Sequence, residues 1–130
     1  MDEQAEQPLR GLNLVCADDE TTALTILAEI LNSAGATVRT AKDGLQALEI
    51  IRTHPTDAVI ADIQMPVMDG TALIKTLRAE GFDRPILAVT GASKHDAESI
   101  LASGADHYIS KPVITTELIH TLVTDLRGTK

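Results

Sequence analysis

The chain has 130 residues, a formal net charge of −8, 44% hydrophobic and 2% aromatic residues, and no tryptophan. That length suits one domain around one core, while the acidic balance and scarce aromatics exclude nucleic acid and anionic lipid as partners, because neutralising phosphates needs clustered Lys and Arg and base stacking needs aromatic faces. No apolar run approaches the roughly 18 residues that cross a bilayer, and Met1-Asp2-Glu3-Gln4 is acidic where a secretory leader is basic, so no membrane insertion is expected and the chain is placed in the cytoplasm.

In chain order, residues 1–10 read as a polar tail, 11–127 as the domain, and 128–130 as a fraying end. Short runs rich in β-branched residues predict buried strands at Leu12 to Ala17, Thr37 to Thr40, Ala58 to Ala61, Ile86 to Thr90, and Tyr108 to Ile109. Helical spacing fills the gaps. Leu24, Leu27, Leu31 and Ala34 precede Gly35, placed as a C-terminal glycine. Leu45, Leu48 and Ile51 run to His54-Pro55, where the helix must stop. Leu73, Ile74 and Leu77 lead to Gly81. Ser93 and Asp96 resemble a capping box before Ile100 and Leu101, closed by Gly104. Leu118, Ile119, Leu122, Val123 and Leu126 form the last stripe. Cys16, the one cysteine, lies in the first strand and reads as a buried small hydrophobe.

Strands alternating with helices imply an α/β fold with a five-stranded parallel sheet flanked by five helices. Strands apolar on both faces fit helices on each side. Ligands of such folds bind beyond the strand C-termini. There the chain places Asp18-Asp19-Glu20 after the first strand, Asp62 at the end of the third, Thr90-Gly91 after the fourth and Lys111-Pro112 after the fifth. Two carboxylates about 4 Å apart repel by roughly 4 kcal/mol at an effective dielectric of 20, so the cluster implies either a raised pKa or a bound cation. An all-oxygen set suits a hard ion such as Mg²⁺, which takes one or two carboxylates, keeps waters and shares phosphate oxygens. A phosphoryl group's outer oxygens could then face the cation, the Lys111 ammonium, and the Thr90 hydroxyl with a backbone N–H, an arrangement that stabilises phosphoryl transfer. His54, His95, His107 and His120 have no metal-ligand spacing and read as surface or structural residues.

Four stretches together resemble the response-regulator receiver domain of two-component signalling, of the chemotaxis-regulator kind. They are Ala17-Asp18-Asp19-Glu20, Ala61-Asp62-Ile63-Gln64-Met65-Pro66-Val67-Met68-Asp69-Gly70, Val89-Thr90-Gly91-Ala92, and Tyr108-Ile109-Ser110-Lys111-Pro112. The resemblance implies a flavodoxin-like doubly wound sheet of order 2-1-3-4-5. It implies a signalling phosphoacceptor rather than an enzyme acting on a separate substrate, one that catalyses its own phosphorylation and dephosphorylation. Asp62 would take the phosphoryl group from a partner phosphohistidine, on a sensor histidine kinase or a histidine phosphotransfer protein. Asp19 would bind Mg²⁺ directly and Asp18 through water, with the Asp62 carboxylate and the Gln64 backbone carbonyl completing the protein ligands. Lys111, Thr90 and Gly91 would receive the phosphoryl oxygens. Thr90 and Tyr108 would be the switch residues, and the Lys111-Pro112 bond would be cis. The fourth helix, fifth strand and fifth helix would face a downstream protein partner. Kinase docking would use Thr21 to Thr25 and the loop at Pro112. Gly91 stands where the family commonly has alanine, Val113 where it often has phenylalanine, and Ala92, lacking a group to orient water, predicts a longer-lived phosphate.

A haloacid-dehalogenase-type phosphohydrolase would need its Asp-x-Asp nucleophile motif on the first strand, which ends instead in Asp18-Asp19-Glu20-Thr21. A flavodoxin would need a hydroxyl- and glycine-rich phosphate cradle where this chain has acids. A decayed, phosphorylation-independent module would lack some of the chemical residues, and none is missing. With no second domain read in the sequence, the chain is expected to be a stand-alone regulator or a receiver cut from a hybrid kinase.

Overall fold

Strands β1 (Asn13–Ala17), β2 (Thr37–Ala41), β3 (Ala58–Asp62), β4 (Ile86–Thr90) and β5 (His107–Ser110) pair in parallel in the order β2-β1-β3-β4-β5. The structure, a computed structural model, describes residues 7–91, 97–111 and 115–127. Among the described residues four helices connect the strands, α1 (Thr21–Ser33), α2 (Gly44–Thr53), α3 (Gly70–Ala79) and α4 (Ala97–Ala102), and a fifth, α5 (Thr115–Arg127), follows β5. The expected fold and strand order are both present. The Ser93 and Asp96 capping box, Ala92, His95 and the Lys111-Pro112 bond with Pro112 and Val113 lie outside the described residues. Among the described residues no helix is long and apolar enough to cross a membrane.

The alternation of side chains along each strand divides the interior in two. Val15, Ala17, Val59, Ala61 and Ala88 point to one face and pack against Ala47 and Leu48 of α2, Leu73, Ile74 and Leu77 of α3, and Ile100 of α4. Leu14, Cys16, Ile60, Leu87 and Val89 point to the other, against Leu24 and Leu31 of α1 and Leu118 and Leu122 of α5. β3 and β4 are buried throughout. Each fully buried Leu or Ile stabilises the fold by roughly 1.5–3 kcal/mol.

Carboxylates cap three helices at the C-terminal edge of the sheet. Glu20 accepts from the Ala23 N–H, Asp43 from Gln46 and Asp69 from Ala72, at 3.0, 2.8 and 2.9 Å. Asp69 thus fixes the start of the helix that leaves the loop after β3.

The tail does not extend to residue 10. Leu9 is fully buried, its N–H donates to the Ala34 carbonyl at 2.8 Å, and the Thr37 N–H donates to the Leu12 carbonyl at 2.8 Å. This N-terminal turn lies on Gly35, where φ is +106° and an added Cβ would stand 2.8 Å from the Arg10 backbone. Isolated apolar residues in polar segments carry no periodicity, so the packing of Leu9 is a tertiary fact.

The N-terminal edge of the sheet is closed by two arginines. Arg78 donates to the carbonyls of Gly104, Phe82 and Arg84 at 2.9, 2.7 and 2.9 Å and to the Asp106 carboxylate at 2.8 Å. Asp106 also accepts the Ile86 N–H at 2.8 Å. Arg84 pairs with Asp57 at 3.3 Å, and Asp57 accepts the Asn13 N–H at 2.7 Å.

Candidate functional site

The order of the strands brings the ends of β1, β3 and β4 together, with β5 beside β4. Asp18 follows β1, Asp62 ends β3, Thr90 ends β4 and Lys111 follows β5. The Lys111 ammonium donates to Asp18 Oδ2 and to Asp62 Oδ2, both at 3.1 Å. The remaining oxygens are held by local backbone: the Glu20 N–H donates to Asp18 Oδ1 at 2.9 Å and the Gln64 N–H to Asp62 Oδ1 at 3.2 Å. Asp19 is exposed and completes a set of three carboxylates whose oxygens lie within 4.8 Å of one another.

Asp62 is only 7% exposed and Thr90 2%. Burial raises the Asp62 pKa. The Lys111 hydrogen bond opposes that rise, the Asp18 charge adds to it, and the Gln64 N–H works against it, yet the net direction is upward. Burial also disfavours the charge on Lys111, but Asp18 and Asp62 together outweigh it and hold the ammonium above its ordinary value. One cation thus serves two nearly buried carboxylates.

Thr90 is joined to the lysine through the backbone, its carbonyl accepting the Lys111 N–H at 2.9 Å. Gly91 is exposed beside the same lysine, and an added Cβ would lie 3.4 Å from Lys111 Cδ, in ordinary contact. Tyr108, the single tyrosine, is half-buried against the α2, α3 and α4 side of the core. Gln64 is exposed at the start of the β3–α3 loop. Among the described histidines, His54 bonds at the end of α2 and His107 pairs with Asp125 of α5 at 2.6 Å. Neither belongs to the acidic cluster.

The loop from Ile63 to Gly70 has a feature that the sequence did not signal. Val67 has φ +68° and is 78% exposed, and the Met68 N–H donates to the Pro66 carbonyl at 2.7 Å. That bond spans two residues, making a γ-turn with a β-branched residue at positive φ, a strained arrangement. Glycines flank the loop. Gly44 donates to the Met68 carbonyl at 2.9 Å and Gly70 to the Ile63 carbonyl at 2.8 Å.

The donor set fits a hard cation. Three carboxylates converge with one ammonium between them, all-oxygen donors exclude a soft metal, and two of the acids are held in place by backbone N–H groups. Asp18, Asp19 and Asp62 are the residues that would hold it.

A family model described as the response regulator receiver domain matches residues 14–123. The response regulator MprA of Mycobacterium ulcerans is 36% identical over 121 residues, covering 92% of this chain and 52% of that protein. The MprA protein of Mycobacterium leprae is 34% identical over 120 residues, 92% of this chain and 53% of that one. The chain therefore spans about half the length of these curated relatives. Among solved structures, a Francisella response regulator receiver domain superposes with a TM-score of 0.85 at 29% identity, covering 92% of this chain and all of that one. A CheY-like receiver domain from Methanospirillum hungatei gives 0.83 at 29% identity, covering 89% of this chain and 94% of that one. The chain belongs to the response regulator receiver domain family.

Proposed function

We propose that this receiver domain takes a phosphoryl group onto Asp62 from a phosphohistidine of a sensor histidine kinase or histidine phosphotransfer protein, with Mg²⁺ held by Asp18, Asp19, Asp62 and the Gln64 backbone carbonyl. The observation that carries the reading is the placement of Asp62, nearly buried at a strand end, hydrogen-bonded to Lys111 and crowded by two further carboxylates. An Asp62 oxygen forms the new bond to phosphorus, the histidine N–P bond breaks, and its electron pair returns to the imidazole nitrogen. The cation supplies positive charge to the transferring group. Lys111, already between Asp18 and Asp62, turns its ammonium to a phosphoryl oxygen. Gly91 leaves the flank of that lysine open.

Thr90 and Tyr108 are the residues through which the new charge changes the domain's shape. Thr90 sits at the end of β4 beside the site, and Tyr108 is one strand away on β5. The α4–β5–α5 face then presents the change to a downstream protein. Ala92 carries no polar side-chain group, which supports a longer-lived phosphate.

The test is mass measurement after treatment with acetyl phosphate, with and without Mg²⁺. Mg²⁺-dependent addition of one phosphoryl group in the wild type, and none in Asp62→Ala, is the expected result. Addition that persists in Asp62→Ala would overturn the assignment.

A further inference from the structure

Gly44 opens α2, on a connection that supplies none of the carboxylates, yet it is built against the phosphoacceptor loop. Besides the hydrogen bond to Met68, a Cβ on Gly44 would stand 2.4 Å from the Met68 carbonyl oxygen and 2.9 Å from Met68 Cγ. The first of these is a backbone atom and cannot swing aside. At the other end of the loop, a Cβ on Gly70 would stand 2.4 Å from the Asp62 carbonyl oxygen and 2.7 Å from Ile63 Cα. The loop is thus seated directly on two glycines, one beneath Met68 and one beneath Asp62 itself.

We propose that Gly44 is a remote positioning residue for the Asp62 site, fixing the β3–α3 loop through the Met68 carbonyl. The inference rests on the function proposed above and extends it to a residue of the β2–α2 connection. A side chain at position 44 forces one partner to yield by about 1 Å, the difference between 2.4 Å and ordinary contact at 3.4 Å. α2 cannot yield, because Ala47 and Leu48 are 0% and 3% exposed in the core. The loop can, because Pro66 and Val67 are exposed. Its other anchor lies against the Asp62 backbone, so movement of Met68 is passed to the residues beside the carboxylate and to Gln64. Mg²⁺ tolerates little departure from octahedral geometry at about 2.0–2.1 Å, and disturbing the groups that hold metal ligands in place costs about 10–100-fold in metal affinity.

Gly35 is the matched control. It lies toward the other edge of the sheet, and an alanine there meets the Arg10 backbone at 2.8 Å with φ at +106°. Gly44→Ala and Gly35→Ala are compared with wild type by thermal melting, calorimetric titration with Mg²⁺ alone, and amide resonances. Both variants are expected to melt lower. Only Gly44→Ala is expected to bind Mg²⁺ weaker, by about tenfold or more, and to shift the amides of Gln64 and Met65. Should Gly44→Ala fail to fold, all three proteins are titrated in trimethylamine N-oxide, which strengthens burial. Wild-type Mg²⁺ affinity in Gly44→Ala, or equal weakening in both variants, overturns the inference and leaves the phosphoacceptor reading standing. Absence of Mg²⁺ binding by the wild type overturns that reading, and the inference falls with it.

Discussion

At the N-terminal edge of the sheet Asp57 and Asp106 each have their own guanidinium and a backbone N–H, whereas at the C-terminal edge Asp18 and Asp62 share one ammonium and Asp19 crowds them further. The same contrast appears in the backbone. Arg78 satisfies three loop carbonyls at the first edge, while the loop beside the second edge contains a valine at positive φ. One edge closes the fold with matched charges. Among the described residues the other retains unmatched negative charge and strain, a pattern typical of functional sites. A single small domain can hold both because the length of the strands separates them.

The largest effect expected from breaking this contrast is at the matched edge. Arg78→Ala leaves the Gly104, Phe82 and Arg84 carbonyls and the Asp106 carboxylate without this donor, and should cost roughly 2–4 kcal/mol in urea unfolding. Mg²⁺ affinity should be unchanged, and a parallel loss of affinity would show that the edges are coupled. Asp62→Asn should act in the opposite direction, stabilising the metal-free protein by roughly 1 kcal/mol while abolishing phosphorylation. Its pH dependence follows from the raised pKa of Asp62. The folded state holds a proton that the unfolded chain releases, so the stability of the protonated form is full below the ordinary value of 3.8 and is lost as pH rises through the higher folded value. The advantage of Asp62→Asn over wild type should therefore be absent at the acid end, grow across that window and then level off, as urea melts in chelator can establish. A constant advantage would contradict the assigned cause. The smallest effect is expected at Val67→Asn, which relieves positive φ and should stabilise by roughly 0.5–1 kcal/mol in thermal melts. No gain would mean that the γ-turn is not strained.

Much of this architecture is legible in the sequence because it depends on local pattern. β-branched runs located every strand to within a residue or two, with the polar ends of β5, His107 and Ser110, falling outside the apolar signal. Gly35, Gly81 and Gly104 mark helix ends and all have positive φ. The carboxylates, Thr90 and Lys111 are conspicuous because a parallel sheet must align its strand ends. What was not legible depends on distant partners. Nothing near Leu9 announces that it will meet Ala34, nothing near Arg78 announces four acceptors on later segments, and Asp43-Gly44 looks like any helix start until Met68 is placed against it. The tail boundary failed for the same reason, since one leucine among polar residues has no period to read.

Cys16 is a chemical clock for the whole domain. It is fully buried in β1 between α1 and α5, it is the only thiol, and burial pushes its pKa up to about 12. A thiol reagent needs both access and a thiolate, so modification in native buffer proceeds only through openings that free this strand. The labelling rate therefore counts such openings. Any ligand that binds the closed form alone must slow it by the factor 1 + [L]/Kd, giving a readout of Mg²⁺ or of a bound partner without a tag or a dye on the protein.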